Sequence, residues 1–530
     1  MREIFVRNKT AVFIIALVAG MYALGLVTVQ ASAWAEEPSG QAPDEPIKAD
    51  LAALADEGRW LELMAAATDA VRKNASDPVP IVYQLQAMRM LGESDSALKK
   101  ADEAVARFPD NARIIMERAW IHSFKGSWSR ALSDARIAAG IDPNLYDALN
   151  VQGIAYREMR DWNNAIDLYT NALALKPNDT SALLNRGRAY VEKGMWQKAR
   201  TDLDKSIGLN GESAEAFYHR GRAYAGSGKL GNAAKDFTAS LMLKPHAVAP
   251  YIARAEVLAQ GGKWEDAAKD AYTAIALGSH DIRPFYTACQ ASVVLGDFDA
   301  LAGYAESGAM IAPGNAEFQR FAGKAYREKG ELTKALAAYD KAVEAAPGDA
   351  GVLLDRALTY VLLRRYDQAA DDCTASLSAK TSATAYAIRA FARLKAGSLD
   401  RAFEDSTNAL TLEPKTATAL LVRANINMTR GKFAEALSES RQALKLDPVQ
   451  AWGYITYGSA LSAAGRNEEA MKILNQAVAL APNDGEAHLA RGRCLAALGR
   501  HAKARQDIEN AVALDAGLTQ EARAELDKLK

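Results

Sequence analysis

Few residues of this sequence have the type and spacing that chemistry needs. Gly226-Ser-Gly-Lys-Leu-Gly231 matches by letter the glycine-rich loops that cradle phosphate, but such a loop must follow a strand and open a helix so that its N–H groups converge on the anion. The six histidines (His122, His219, His246, His280, His488, His501) are scattered, and no two stand at the i, i+4 spacing of a helical metal site. Cys289, Cys373 and Cys494 cannot build a disulfide framework over 530 residues, and none has a Cys or His at metal-ligand distance. No catalytic residue, metal or cofactor is expected. Binding groups are better represented. Asn150, Arg157, Asn185, Arg188, Tyr218, His219 and Arg222 mix amide, guanidinium and aromatic chemistry. An amide both donates to and accepts from a peptide backbone, arginine forks onto a carboxylate, and tyrosine supplies rigid area with a polar tip. A second, apolar set comprises Leu421, Met428, Trp452 and Ile455, which would suit an amphipathic helix laid in by its hydrophobic face.

The elements that must carry these groups follow from a strict beat. Glycine recurs at Gly58, Gly92, Gly126, Gly194, Gly228, Gly262, Gly296 and Gly330, always a multiple of 34 apart, and after a one-residue deletion at Gly397, Gly431, Gly465 and Gly499. Arg160 and Arg364 fill the two gaps, giving 14 register positions. Proline keeps the same period at Pro109, Pro143, Pro177, Pro245, Pro313 and Pro347, then at Pro414, Pro448 and Pro482. Each unit therefore reads as a helix, a turn at the glycine, and a second helix that stops before the proline. Units are numbered 1 to 14 from Asp44. The Gly226–Gly231 fragment falls in one of these turns, which makes it a turn rather than a phosphate loop.

This spacing resembles the tetratricopeptide repeat. The unit from Thr180 carries Leu183, Gly187, Tyr190, Gly194, Trp196, Ala199 and Leu209; the unit from Ala316 carries Gly323, Tyr326, Gly330, Leu332, Ala335, Tyr339, Ala342 and Pro347. Small residues recur where two helices would cross closest, at Gly153, Gly187, Gly221, Gly323, Gly458 and Gly492 in first helices and from Ala131 to Ala504 in second helices. A larger side chain there would push the axes beyond their roughly 8–10 Å separation. Pentatricopeptide units run close to this length, but the small residues and tryptophans fit the tetratricopeptide pattern better, and HEAT or armadillo units are too long. The resemblance implies an all-α, right-handed superhelical solenoid whose first helices line a concave groove, with residues 519–530 as a capping helix. It also implies that the groove binds protein or peptide segments. Some members clamp a terminal carboxylate with Lys, Asn and Arg on three consecutive first helices; Asn185 and Arg188 resemble fragments of that clamp, and Glu215 stands where the third helix would supply lysine. The arginine before the small residue (Arg118, Arg186, Arg220, Arg254, Arg356, Arg389, Arg423, Arg491) recurs too regularly to be partner-specific, and is expected to tie its head to a neighbouring acid or carbonyl.

The N-terminal end differs. Arg2, Arg7 and Lys9 precede an uncharged run from Ala11 to Val29, and Ala31-Ser-Ala33 and Ala33-Trp-Ala35 offer cleavage sites. Residues 1–35 read as a signal peptide cleaved after Ala35, with an uncleaved anchor through residues 11–29 as the alternative. Residues 36–46 (EEPSGQAPDEP) read as an acidic, proline-rich spacer, and residues 44–518 as about 14 units. Lys and Arg total 64 against 65 Asp and Glu, so no bulk positive field draws the chain to nucleic acid. An exported scaffold in the cell envelope, periplasmic or anchored to the membrane through its N-terminal segment, is the reading that results. The alternatives are a structural subunit of an envelope export or surface-polysaccharide assembly machine, and an accessory subunit of a separately encoded enzyme.

Overall fold

The computed structural model describes residues 45–529. The leader, its cleavage sites and residues 36–44 lie outside them, and the last two residues assigned to the spacer, Glu45 and Pro46, instead open the first helix, Glu45–Asp56. Every regular element among the described residues is helical, and the chain is an all-α solenoid of helical hairpins. It divides at Leu277–Gly278 into two compact units.

Hairpins form where the sequence places their stops. First helices such as Thr180–Glu192 open on a capping side chain: Asp179 Oδ1 accepts from Ala182 N at 2.6 Å, and Ser213 and Asn315 serve the same way in their units. The helix then ends on a left-handed residue. Gly194 has φ 69°, and beyond it Met195 N donates to Tyr190 O at 2.9 Å, closing the last turn. All 14 register positions adopt positive φ, Arg160 (61°) and Arg364 (57°) included, so the backbone keeps its turn even where glycine is missing. The aromatic or aliphatic residue two places on, such as Trp196 or Phe433, is the first residue of the second helix. The one-residue deletion falls between helices: only residues 380–382 separate Tyr366–Ala379 from Ala383–Lys395, so neither helix loses a residue.

Small residues decide the closest crossings. A Cβ on Gly187 would meet Leu203 Cγ at 2.7 Å, and one on Gly221 would meet Phe237 Cε1 at 2.6 Å. Ala131, Ala165, Ala199 and Ala233 are fully buried on the opposing helices. Gly226, the first glycine of the loop-like fragment, lies under the Trp196 ring of the preceding unit, where a Cβ would come within 2.6 Å of Cζ2. Cys289, Cys373 and Cys494 are buried, and burial pushes the Cys289 and Cys373 thiols up to about 12. First helices of most neighbouring units touch one another and, among the described residues, second helices make no comparable contact, so first helices form the inner face of each compact unit.

The recurrent arginines are the polar part of this framework. Arg220 Nε and Nη2 donate to both oxygens of Asp236 at 2.8 and 2.7 Å, and Nη1 donates to Asp204 at 2.8 Å. The same two-pronged bond joins Arg118 to Asp134, Arg186 to Asp202, Arg254 to Asp270, Arg356 to Asp372, Arg389 to Asp405 and Arg491 to Asp507. Arg423 reaches Glu439 by one prong. Every partner stands sixteen residues after its arginine, on the second helix of the same unit, and is buried. Arg118, Arg220 and Arg356 also reach back to an acid of the preceding second helix, stitching three helices together.

Candidate functional site

The middle units divide the expected groove residues into two layers. Asn150, Asn185 and His219 are buried, which corrects their expected place on the open groove: Asn185 and His219 share the register that faces the seam where one first helix packs on the next, and Asn150 stands one position earlier in its unit. Arg188, Tyr218 and Arg222 are half-buried and form the accessible layer above them. The seam register is occupied in kind elsewhere. Arg89 Nε donates to Glu117 at 3.2 Å, and Arg327 Nη1 to Asp355 at 3.4 Å, each bond running from one first helix to an acid of the next. In units 4 and 5 the same bond runs from Arg157 to Asn185, a neutral amide, and in unit 6 the register holds His219. The acids that Arg89 and Arg327 meet across their seams have no counterpart at this register in units 5 and 6.

Positive charge accumulates as a result. Arg157 retains Glu158 at 2.7 Å and Arg222 retains Glu192 at 2.7 Å. Arg188 has neither a hydrogen bond nor an ion pair with any described residue. Burial lowers its pKa from the ordinary arginine value and the Arg157 charge lowers it further. Burial, then Arg188, Arg222 and Arg157, hold His219 well below the usual histidine range, so it is a neutral imidazole. Its ring meets Tyr218 edge-on at 5.1 Å, and Arg222 lies over the Tyr218 ring at 5.9 Å.

Two buried polar atoms under these guanidinium charges have no partner among the described residues, His219 Nδ1 and the Tyr169 hydroxyl; Asn150 Oδ1 is a third such atom in unit 4. Tyr169, from the second helix of unit 4, was not among the expected residues. Burial raises its pKa to about 12, against the opposing pull of Arg157 and Arg188, which places the hydroxyl under the same charges. A buried polar group without a partner costs about 1–3 kcal/mol, and a desolvated cation costs more. An anion with two acceptor oxygens would satisfy Arg188 by the fork geometry that each scaffold arginine uses toward its aspartate.

The alternative apolar groove is not open. Leu421 and Ile455 are buried in the core, and Met428 packs against the Ala424, Ala436 and Ala460 cluster. Trp452 reaches back two units to Phe391, edge to face at 5.0 Å, and covers the cluster around Val422 and Ile426. These first helices approach closely enough to fill the space that a ligand helix would need. In units 2 and 3, Tyr83, Met116 and Trp120 are likewise spent on packing.

Family models described as tetratricopeptide repeat match residues 188–248, 218–285, 295–350, 322–387 and 389–451, and a second such model matches 427–494 and 461–526. A TPR-repeat model matches 153–194. No curated protein matches the chain. Among solved structures, the APC/C hetero-tetramer Cut9–Hcn1 is similar over 92% of this chain and 96% of that one, at 12% identity and a TM-score of 0.42. A tetratricopeptide repeat protein from Parabacteroides merdae is similar over 47% of this chain and 98% of its own, at 19% identity and a TM-score of 0.38. YrrB, described as a TPR protein with an unusual peptide-binding site, is 20% identical over 35% of this chain and 95% of its own, with a TM-score of 0.31.

Proposed function

We propose that this chain, which belongs to the tetratricopeptide repeat family and is a protein-binding scaffold, holds a carboxylate-bearing segment of its partner on the inner face of units 4 to 6. The observation that carries the proposal is Arg188, a half-buried guanidinium with no hydrogen bond or ion pair among the described residues, opposed by Arg157, beside neutral His219, and favoured only from longer range by Glu158, Glu215 and Glu192. Glu215, at the place where a clamp lysine would stand, has Lys244 3.9 Å away, so its charge is partly answered within the chain. The partner's carboxylate would sit on Arg188, with Tyr218 and Arg222 beside it in the accessible layer to meet backbone and side-chain groups. We further propose that the scaffold works outside the cytoplasm, on the strength of Arg2, Arg7, Lys9, the Ala11–Val29 run and the Ala-x-Ala sites.

A pull-down from envelope extracts identifies the partner, and calorimetry then locates its seat. Arg188→Ala removes a charge-assisted pair of about 1.5–3 kcal/mol, roughly tenfold to a hundredfold in affinity. Arg222→Ala should cost less, and all binding should weaken as salt rises. If only Trp452→Ala weakens binding and salt leaves it unchanged, the seat is wrong. Intact mass from the native host should begin at Glu36; a retained Met1 in the membrane fraction would replace export by anchoring.

A further inference from the structure

In the C-terminal compact unit, three contacts leap over intervening repeats. Arg364, in the turn of unit 10, donates from Nη2 to Asp515 Oδ2 at the end of unit 14, 151 residues on. Its guanidinium lies against Gly517, where a Cβ would meet Nη1 at 2.6 Å. Lys395, closing the first helix of unit 11, reaches Glu486 of unit 14 at 2.5 Å, 91 residues on. Phe391, whose ring lies 5.7 Å from Lys395 Nζ, meets Trp452 of unit 13. A solenoid repeat ordinarily contacts only its neighbours, so such contacts require the coil to return on itself.

The backbone at Arg364 adds an independent argument. Twelve of the 14 turn positions hold glycine, and the left-handed φ of 57° strains any other residue. Arg160 bears the same strain without a side-chain hydrogen bond or ion pair among the described residues, whereas Arg364 makes one that glycine could not. Asp515 is set to receive it: Oδ1 already accepts from Gly517 N at 2.9 Å, and its side chain is 14% exposed against 54% for Arg364. One side is fixed and the other can swing.

We propose that Arg364–Asp515, with Lys395–Glu486 as a second point, is an ionic latch that holds the coil of units 10 to 14 shut and closes its inner face to ligands until the latch is released. An ion pair this exposed is weak and sensitive to ionic strength. The screening length falls from about 10 Å at 0.1 M salt to about 3 Å at 1 M. Of the contacts that leap over repeats only Phe391–Trp452 then remains, beside the packing of each first helix on the next, and salt does not weaken apolar burial.

The test uses the full chain with spin labels at Asp367→Cys and Gln520→Cys, both exposed positions on either side of the latch, the three native cysteines being buried. Pulsed dipolar distances are measured at low salt and at 1 M NaCl. The parent should give one short, narrow distance at low salt that lengthens and broadens at high salt. Arg364→Gly suits the turn and so keeps the fold, yet should give the long, broad distribution at both salts, with helical circular dichroism unchanged and Trp452 more open to acrylamide. Asp515→Asn should do the same. A short distance retained in Arg364→Gly, or a parent distance indifferent to salt, overturns the latch and assigns closure to helix packing.

Discussion

Replacing Arg220 by methionine isolates the energy of the arginine framework. The substitution keeps most of the packed stem and removes the head, leaving Asp236 without any of the hydrogen bonds it receives from the described residues. Asp236 has a side chain only 8% exposed, so its carboxylate cannot fully rehydrate in place. Breaking a buried pair from one side costs about 3–5 kcal/mol; the guanidinium here is 19% exposed, which favours the lower end, about 3 kcal/mol. Asp236→Leu should cost less, about 1–2 kcal/mol, because the freed guanidinium keeps Asp204 at 2.8 Å and solvent on its outer edge. The double variant Arg220→Met with Asp236→Leu removes both charges and should return to within about 1 kcal/mol of the parent, since an apolar pair of similar volume replaces a buried ion pair at little cost. Urea unfolding gives the free energies, and hydrogen exchange over Ala214–Gly226 and Leu230–Leu243 shows whether the loss stays in unit 6, as nearest-neighbour coupling requires. A double variant as unstable as the sum of the singles would refute the argument, because the loss would then come from packing rather than from an orphaned charge.

Ala199→Leu should overpack the unit-5 crossing by about 1–3 kcal/mol, while Leu at exposed Thr201 on the same helix should be nearly neutral; equal thermal shifts would mean that the helix faces are misassigned. Arg160→Gly should stabilise unit 4 by about 0.5–1 kcal/mol, the left-handed strain of about 1–2 kcal/mol less the entropy that glycine loses on folding, as read from exchange in Trp162–Leu175. His122 and His219 bind a proton less readily folded than unfolded, so their contribution to stability is whole above about pH 6.5 and is lost as pH falls below it; His219→Gln should flatten that acid limb of the urea midpoint.

The hairpins were legible because their signals are local. Glycine needs only its own φ, the small residues need only the helix they face, and even Arg160 and Arg364 betray their turns by standing on the beat. The acid sixteen residues after each scaffold arginine is also written in the sequence, and that spacing alone picks out Asp236 and Asp405 as the partners. What one helix alone cannot show is depth. Tyr218 and His219 are neighbours in sequence, yet one faces the groove and the other the seam, a difference set by how far the next first helix leans in. Leu421 and Ile455 were misplaced for the same reason: the distance between successive first helices depends on every crossing before it. The Arg364–Asp515 contact lies further still from sequence, since it sums small rotations over five units.

Arg186 and Arg188 put the functional argument on a single helix. Two residues apart, they stand about 200° apart around the axis, so one head faces the second helices and the other the groove. Arg186 is fully answered, by both oxygens of Asp202 and by Thr170 Oγ1 at 3.1 Å. Arg188 has no hydrogen bond or ion pair among the described residues: burial and Arg157 oppose its charge, and Glu158, Glu215 and Glu192 favour it only from longer range. A helix able to satisfy one guanidinium so completely has no chemical difficulty in satisfying another; leaving it bare costs folding energy that only a ligand carboxylate recovers. Arg188→Met should therefore raise the stability of unit 5 by about 1 kcal/mol, by removing a desolvated, repelled charge, and in the same protein abolish the salt-sensitive part of partner binding. Exchange protection over Thr180–Glu192 reads the first effect and calorimetry the second. An Arg188→Met protein that is less stable than the parent and binds as tightly would make this arginine one more piece of scaffold, and the seat would have to be sought elsewhere.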